Sequence, residues 1–143
     1  MYVLDTNVLS ELRAGKPRAE PSVIRWAQSV PLKQIYLSAI TILEVELGIL
    51  QLERRNPPQG SALRAWFRGI PATFEGRILP FTSEIAIRCA TLHVPDPAPE
   101  RDAMLAATAM THGMTMVTRN VGDFIMAGLD VLNPWEYGNQ EIA

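Results

Sequence analysis

Apolar residues follow two rhythms along this chain. Short compact runs such as Tyr2-Val3-Leu4 and Ile35-Tyr36-Leu37 alternate with longer stretches in which apolar residues recur every three or four positions. The first kind reads as buried strand and the second as amphipathic helix. Strands are predicted at Met1–Leu4, Ile35–Leu37, Ile78–Pro80, Met114–Thr118 and Leu129–Leu132. Helices are predicted at Asn7–Ala14, Pro21–Val30, Thr41–Arg55, Ser61–Ile70, Ser83–His93 and Pro99–His112, with a helical turn at Val121–Phe124. The punctuation agrees. Gly15 and Gly113 suit helix C-caps, and Pro21 and Pro99 suit first helical turns. Asn56-Pro57-Pro58 ends one helix, and the prolines of "VPDPAPE" cannot continue another.

Strand alternating with helix predicts an α/β fold. The expected architecture is three layers, with a short, mainly parallel central sheet flanked by helices, in one domain over residues 1–143. At that length a substantial core can be buried. In such folds function gathers at the carboxyl ends of the strands. The first strand ends on an acid, Asp5.

Composition removes several alternatives. A net charge of −2 excludes a generic polyanion binder. No apolar run can span a bilayer, and the N-terminus does not read as a signal peptide. Cys89 is alone, so no intramolecular disulfide forms and a cytoplasmic protein is expected. Only Lys16 and Lys33 of the 13 basic residues are lysine. Arginine forks suit phosphate, although a GC-rich genome gives the same bias.

The acids carry more information. Along Thr41–Arg55, Ile40, Leu43, Leu47 and Leu50 form one apolar stripe, and Ile42, Val45, Ile49 and Leu52 a second. Glu44 lies in the narrow strip between them, whereas Glu46 and Glu53 look like surface acids. In "PERDAMLAATAMTHG", Asp102 shares a face with Leu105, Ala106 and Ala109. After the fourth strand, Asn120 and Asp123 stand three apart and face the same way on a helical turn. Taken singly, each acid also reads as an ordinary helix-start residue favoured by the dipole. Together, Asp5, Glu44, Asp102 and Asp123 all adjoin strand ends or helix starts, which a parallel sheet brings to one edge. Carboxylates crowded in low dielectric repel one another, and a divalent cation relieves that. An all-oxygen set suits Mg²⁺ or Mn²⁺ rather than zinc. His112 reads as a helix C-terminal residue and His93 as structural.

These stretches resemble a known family. "VLDTNVLSEL", "SAITILEVELGI", "RDAMLAATAMTHGMTMVTRNVGDF" and the closing "LNPW" are similar to PIN-domain ribonucleases, and more narrowly to VapC- or FitB-type toxins of bacterial toxin–antitoxin systems. The likeness spans essentially the whole chain. Met104-Leu105 departs conservatively from the usual Leu-Ile-type pair, and Arg54–Ile78 matches no motif.

The resemblance implies a metal-dependent endoribonuclease that cleaves RNA with Mg²⁺ or Mn²⁺ and an activated water. It makes Asp5, Glu44 and Asp102 the acidic core. Many PIN domains carry an aspartate where this chain has Asn120. The "TRNxxDF" form offers Asp123 instead, which is taken as the fourth acid with Asn120 as a polar neighbour. Thr6, Thr118 and Arg119 would position substrate or water, and Arg13, Arg64 and Arg68 are further cations that either touch phosphate or stay solvated. The resemblance also implies a homodimer and an antitoxin partner that blocks the site and connects the protein to DNA indirectly. Two other readings remain. One is a catalytically silent PIN-like module acting through dimer and antitoxin contacts along the spare stripe of the Glu44 helix. The other is a Mg²⁺-dependent aspartyl phosphatase using Asp5, weakened because the second aspartate of that chemistry is here Asn7.

Overall fold

The computed structural model describes residues 1–126 and 128–138. Residues 127 and 139–143 of the predicted domain lie outside them. Five parallel strands stand in the order β3-β2-β1-β4-β5, where β1 is Tyr2–Leu4, β2 Ile35–Ser38, β3 Ile78–Leu79, β4 Thr115–Val117 and β5 Val131–Leu132. The chain winds outward from β1 to β3, then crosses back to lay β4 on the other side of β1. The winding direction therefore reverses beside β1, and in open α/β sheets a crevice opens at the strand ends there.

Alternation along the strands divides the interior into two cores. Leu4 and Val117 face one side, with Val8, Val23, Leu37, Val45, Ile49 and Phe67. Val3 and Met116 face the other, with Ile40, Leu105, Ala106, Ala109 and Phe124. Sheet residues buried on both faces are expected of a parallel sheet. Helices α1 (Thr6–Glu11), α2 (Pro21–Ser29), α3 (Ala39–Arg55), α4 (Pro57–Phe67), α5 (Ile70–Thr73), α6 (Ser83–Thr91) and α7 (Glu100–His112) supply the outer layers.

Several predicted boundaries shift, each for a local reason. α1 stops at Glu11, not Ala14: after the last i→i−4 bond, from Leu12 to Val8, the Arg13 N–H turns to the Ser10 carbonyl, three residues back. Gly15, with φ +76°, lies in the following turn and is not the C-cap. α4 starts at Pro57 rather than Ser61. Asn56 accepts from the Gln59 N–H and the two prolines fill the first turn, where a missing N–H costs nothing. The predicted helix through Ile70 breaks at Gly69, which begins the separate α5. α6 ends at Thr91 instead of His93. Pro99 stands at the N-cap of α7, one place before its predicted position, and Gly113 closes that helix with φ +64° as expected. His93 is structural: its Nδ1 accepts from the Ala98 N–H at 3.1 Å.

Candidate active site

Asp5 ends β1 and begins α1. Its Oδ1 accepts from the Thr6 N–H at 2.7 Å, so Asp5 is itself the N-cap, and neither Thr6 nor Asn7 performs that task. Its Oδ2 accepts from the Thr118 hydroxyl at 2.8 Å. Asp5 is only 7% exposed. An N-cap contributes ~1 kcal/mol, whereas effective desolvation of a carboxylate costs several. Capping alone therefore does not account for an acid in this place. Burial pushes its pKa up, the Thr118 and Thr6 hydrogen bonds push it down, and the nearby Asp123 charge pushes it up again, with a net rise.

Thr118 follows β4, the strand next to β1, and is fully buried. Its hydroxyl donates to Asp5 and accepts from the Asn120 N–H at 3.0 Å. Thr6 donates to Glu44 Oε1 at 2.9 Å, joining α1 to α3. Both threonines were expected to touch water or phosphate. In the structure their hydroxyls donate to two of the acids.

Glu44 projects from the second turn of α3, whose start is fixed by Ser38 accepting from the Ile40 N–H. It is partly buried, with its Oε2 3.7 Å from Arg101 Nη1. Asp102 sits in the first turn of α7, above the fully buried Leu105, Ala106 and Ala109. Its pKa is raised by burial first, then by the charges of Asp5, Asp123 and Glu44. Asp102 thus feels the charge of each of the other three acids. Asp123 lies exposed on the 3₁₀ turn Val121–Phe124, its N–H bonded to the Asn120 carbonyl. The Asn120 side chain caps nothing there.

The cations divide differently from expectation. Arg64 bonds Glu46 at 2.8 Å and Glu53 at 3.1 Å, so these two acids, expected to be plain surface residues, bind α4 to α3. The Arg119 guanidinium lies 5.1 Å above the Trp135 ring. Arg101, not singled out by sequence, stands beside Glu44. Its signal was its place next to Asp102 in the first turn of a helix aimed at the sheet edge.

Oxygen donors alone, from several mutually repelling carboxylates, fit a hard divalent cation. Among the described residues, no three His, Cys, Asp or Glu side chains stand close enough together to hold an ion between them. Among these acids, at most one or two carboxylates would hold an ion directly, the remaining positions being left to water. A cleft of about 670 Å³ opens nearby, walled by Leu9, Leu12, Ile24, Trp66 and Phe74, and none of the four acids lines it. No helix among the described residues is long and apolar enough to cross a membrane.

Comparison with known proteins agrees with this geometry. The PIN domain model matches residues 2–124. Toxin FitB of Neisseria gonorrhoeae is 37% identical, with 94% of this chain and 99% of FitB covered. The VapC ribonuclease Y4jK of Sinorhizobium fredii is 35% identical over 95% of this chain and 99% of its own. The structure of FitAB bound to IR36 DNA superposes with a TM-score of 0.83 at 36% identity, covering 94% of this chain and 96% of that one. With its parallel sheet, its acids at the strand ends and these likenesses in hand, the chain belongs to the PIN-domain family, among its FitB- and VapC-type members.

Proposed function

We propose that this chain is a metal-dependent endoribonuclease and the toxin of a toxin–antitoxin pair. The observation that carries the reading is that Asp102 is raised by the charges of Asp5, Asp123 and Glu44, each from a different element, while Asp5 ends β1, beside which the winding reverses. The names of the relatives support it: one is a ribonuclease and another a toxin.

Asp5 and Asp102 are the principal ligands for Mg²⁺ or Mn²⁺, with Glu44 and Asp123 completing the negative field. A bound divalent cation supplies an acidified water and positive charge for the leaving oxygen. The protein's own contribution is positioning. Thr118 fixes the Asp5 carboxylate, Thr6 fixes Glu44, and the α7 backbone presents Asp102. Asp123 is the fourth acid because its charge acts on both Asp5 and Asp102, while Asn120 contributes its N–H to Thr118. No serine, cysteine or histidine nucleophile is needed.

The test compares cleavage of structured RNAs by the purified chain in Mg²⁺, Mn²⁺ and EDTA. Activity in either metal and none in EDTA is expected. Equal cleavage in EDTA overturns the metal reading.

The assembly follows from α3. Its second stripe, including Val45, Ile49 and Leu52, is in the core, whereas Leu43 and Leu50 of the first remain 53% and 51% exposed. Fully burying a leucine contributes ~1.5–3 kcal/mol, so covering this stripe favours a homodimer. The structural relative is a FitAB complex bound to DNA. By analogy an antitoxin silences this chain, and DNA is reached through that partner in the cytoplasm. Light scattering on the chain alone should give a dimer, and Leu43→Lys with Leu50→Lys a monomer. Wild-type monomer at micromolar concentration contradicts the dimer.

A further inference from the structure

Arg101 has two features that no other basic residue combines. It is exposed on the first turn of α7, immediately before Asp102, and among the described residues it is the one basic side chain ion-paired with any of the four acids. Its Nη1 stands 3.7 Å from Glu44 Oε2, too far for a hydrogen bond. The opposite oxygen of Glu44 is held firmly by Thr6 at 2.9 Å. Glu44 is thus anchored on one side and loosely neutralised on the other. An ion pair with so exposed a partner is worth only ~0.2–1 kcal/mol, which makes it an exchangeable contact. By contrast, Arg64 is committed to two acids and Arg119 lies over Trp135.

We propose that Arg101 is a positioning residue with two alternating partners. In the metal-free chain it neutralises Glu44. A divalent cation held by Asp5 and Asp102 would attract Glu44 and repel the guanidinium, so the loose Arg101–Glu44 pair would give way. The released guanidinium then holds a phosphate oxygen of the RNA, a fork geometry that suits phosphate. Metal loading and backbone capture are thereby coupled through one side chain, and no covalent bond changes. The inference rests on the ribonuclease reading, deepening it by naming a phosphate contact and its trigger.

The experiment uses Arg101→Gln, Arg101→Lys and a distant surface control, Lys33→Gln. Mn²⁺ binding is measured by titration calorimetry without RNA. Binding of a labelled single-stranded oligouridylate is measured by anisotropy with and without Mg²⁺, the oligomer being checked as intact by gel. A phosphate contact carries no sequence information, so a generic oligomer suffices. Arg101→Gln should bind Mn²⁺ about two- to fivefold more tightly, since a competitor is gone. It should lose about three- to fivefold in RNA affinity in Mg²⁺ only, with the log–log salt slope flatter by about one. Arg101→Lys should recover the salt slope in part, and Lys33→Gln should match wild type. Unchanged or weaker Mn²⁺ binding in Arg101→Gln overturns the pairing with Glu44. An RNA affinity that falls equally with and without Mg²⁺, or not at all, overturns the coupling. If wild type binds Mn²⁺ but cuts no RNA, the ribonuclease reading fails, while the Mn²⁺ comparison still decides the Arg101–Glu44 pair.

Discussion

Helix α3 carries two groups of acids, and they have opposite fates. On the face turned to α4, Glu46 and Glu53 both meet Arg64. Their charge is balanced within the protein, and the result is a clamp between adjacent helices. Nearer the N-terminus and on another face, Glu44 lies close enough to Asp102 to raise its pKa, with a loose arginine beside it. Charges that a fold needs for itself are neutralised by it. Charges left in mutual repulsion, and partly desolvated, mark a place where the balance is supplied from outside.

The contrast can be broken most severely at the unbalanced face. Asp5→Asn together with Asp102→Asn should lower RNA cleavage by more than ~100-fold, the upper end for loss of mere supporting partners of a metal site. Circular dichroism should show an intact fold, because asparagine caps a helix nearly as well as aspartate. Next comes Thr118→Val. It removes the hydroxyl that orients Asp5 and satisfies the Asn120 N–H, and should cost ~10–100-fold in rate. Thr118→Ser should recover most of that, which a general loss of packing would not allow.

The balanced face should respond in stability alone. Gly60 packs against α3 so closely that an added Cβ would stand 2.7 Å from the Glu53 Cα. Gly60→Ala therefore forces α4 away from α3 and should destabilise by ~1–3 kcal/mol. Cleavage per folded molecule should be unchanged, as measured by denaturant melts beside initial rates.

The smallest effect concerns pH. Burial and three neighbouring acids raise the Asp102 pKa in the folded chain. The acid form costs the fold nothing at low pH. As pH rises above the usual carboxylate range and through the raised pKa, ionisation in the fold becomes a penalty relative to the unfolded chain. In EDTA, Asp102→Asn should thus raise the melting temperature at pH 7 by about 1–3 °C, and the gain should vanish toward pH 4. Saturating Mg²⁺ should reverse the order, wild type then being the more stable. A mutant that melts no higher than wild type in EDTA at pH 7 contradicts the repulsion.

The pattern of the chain made much of this legible. Strand runs and helix periodicity located the parallel sheet, and the four acids could be read as strand-end and helix-start residues. What stayed hidden was pairing. Asp5 was legible as a strand-end acid that could also start α1, but its bond to Thr118 was not, because that hydroxyl arrives from a distant strand. Arg64 read as a cation available to solvent or phosphate. Its acceptors lie 11 and 18 residues earlier, brought near by a helix turn that begins at Asn56. Arg101 could be seen beside Asp102 in the sequence, but its pairing with Glu44 across α3 and α7 leaves no mark in local spacing. The boundaries that moved, at α1, α4, α5, α6 and the start of α7, lie at helix ends, where local turns and caps decide rather than periodicity.

The bond between Asp5 and Thr118 also has a consequence in time. It spans 113 residues and joins the first strand to the fourth, which fills the vacant side of β1. Synthesis proceeds from the N-terminus, so a nascent chain shorter than Thr118 has Asp5, Glu44 and Asp102 but neither the hydroxyl that orients Asp5 nor Asp123. β1 then still has an unpaired edge. The order of elements thus fixes an order of assembly: the Asp5 carboxylate takes its final orientation only after β4 has paired with β1.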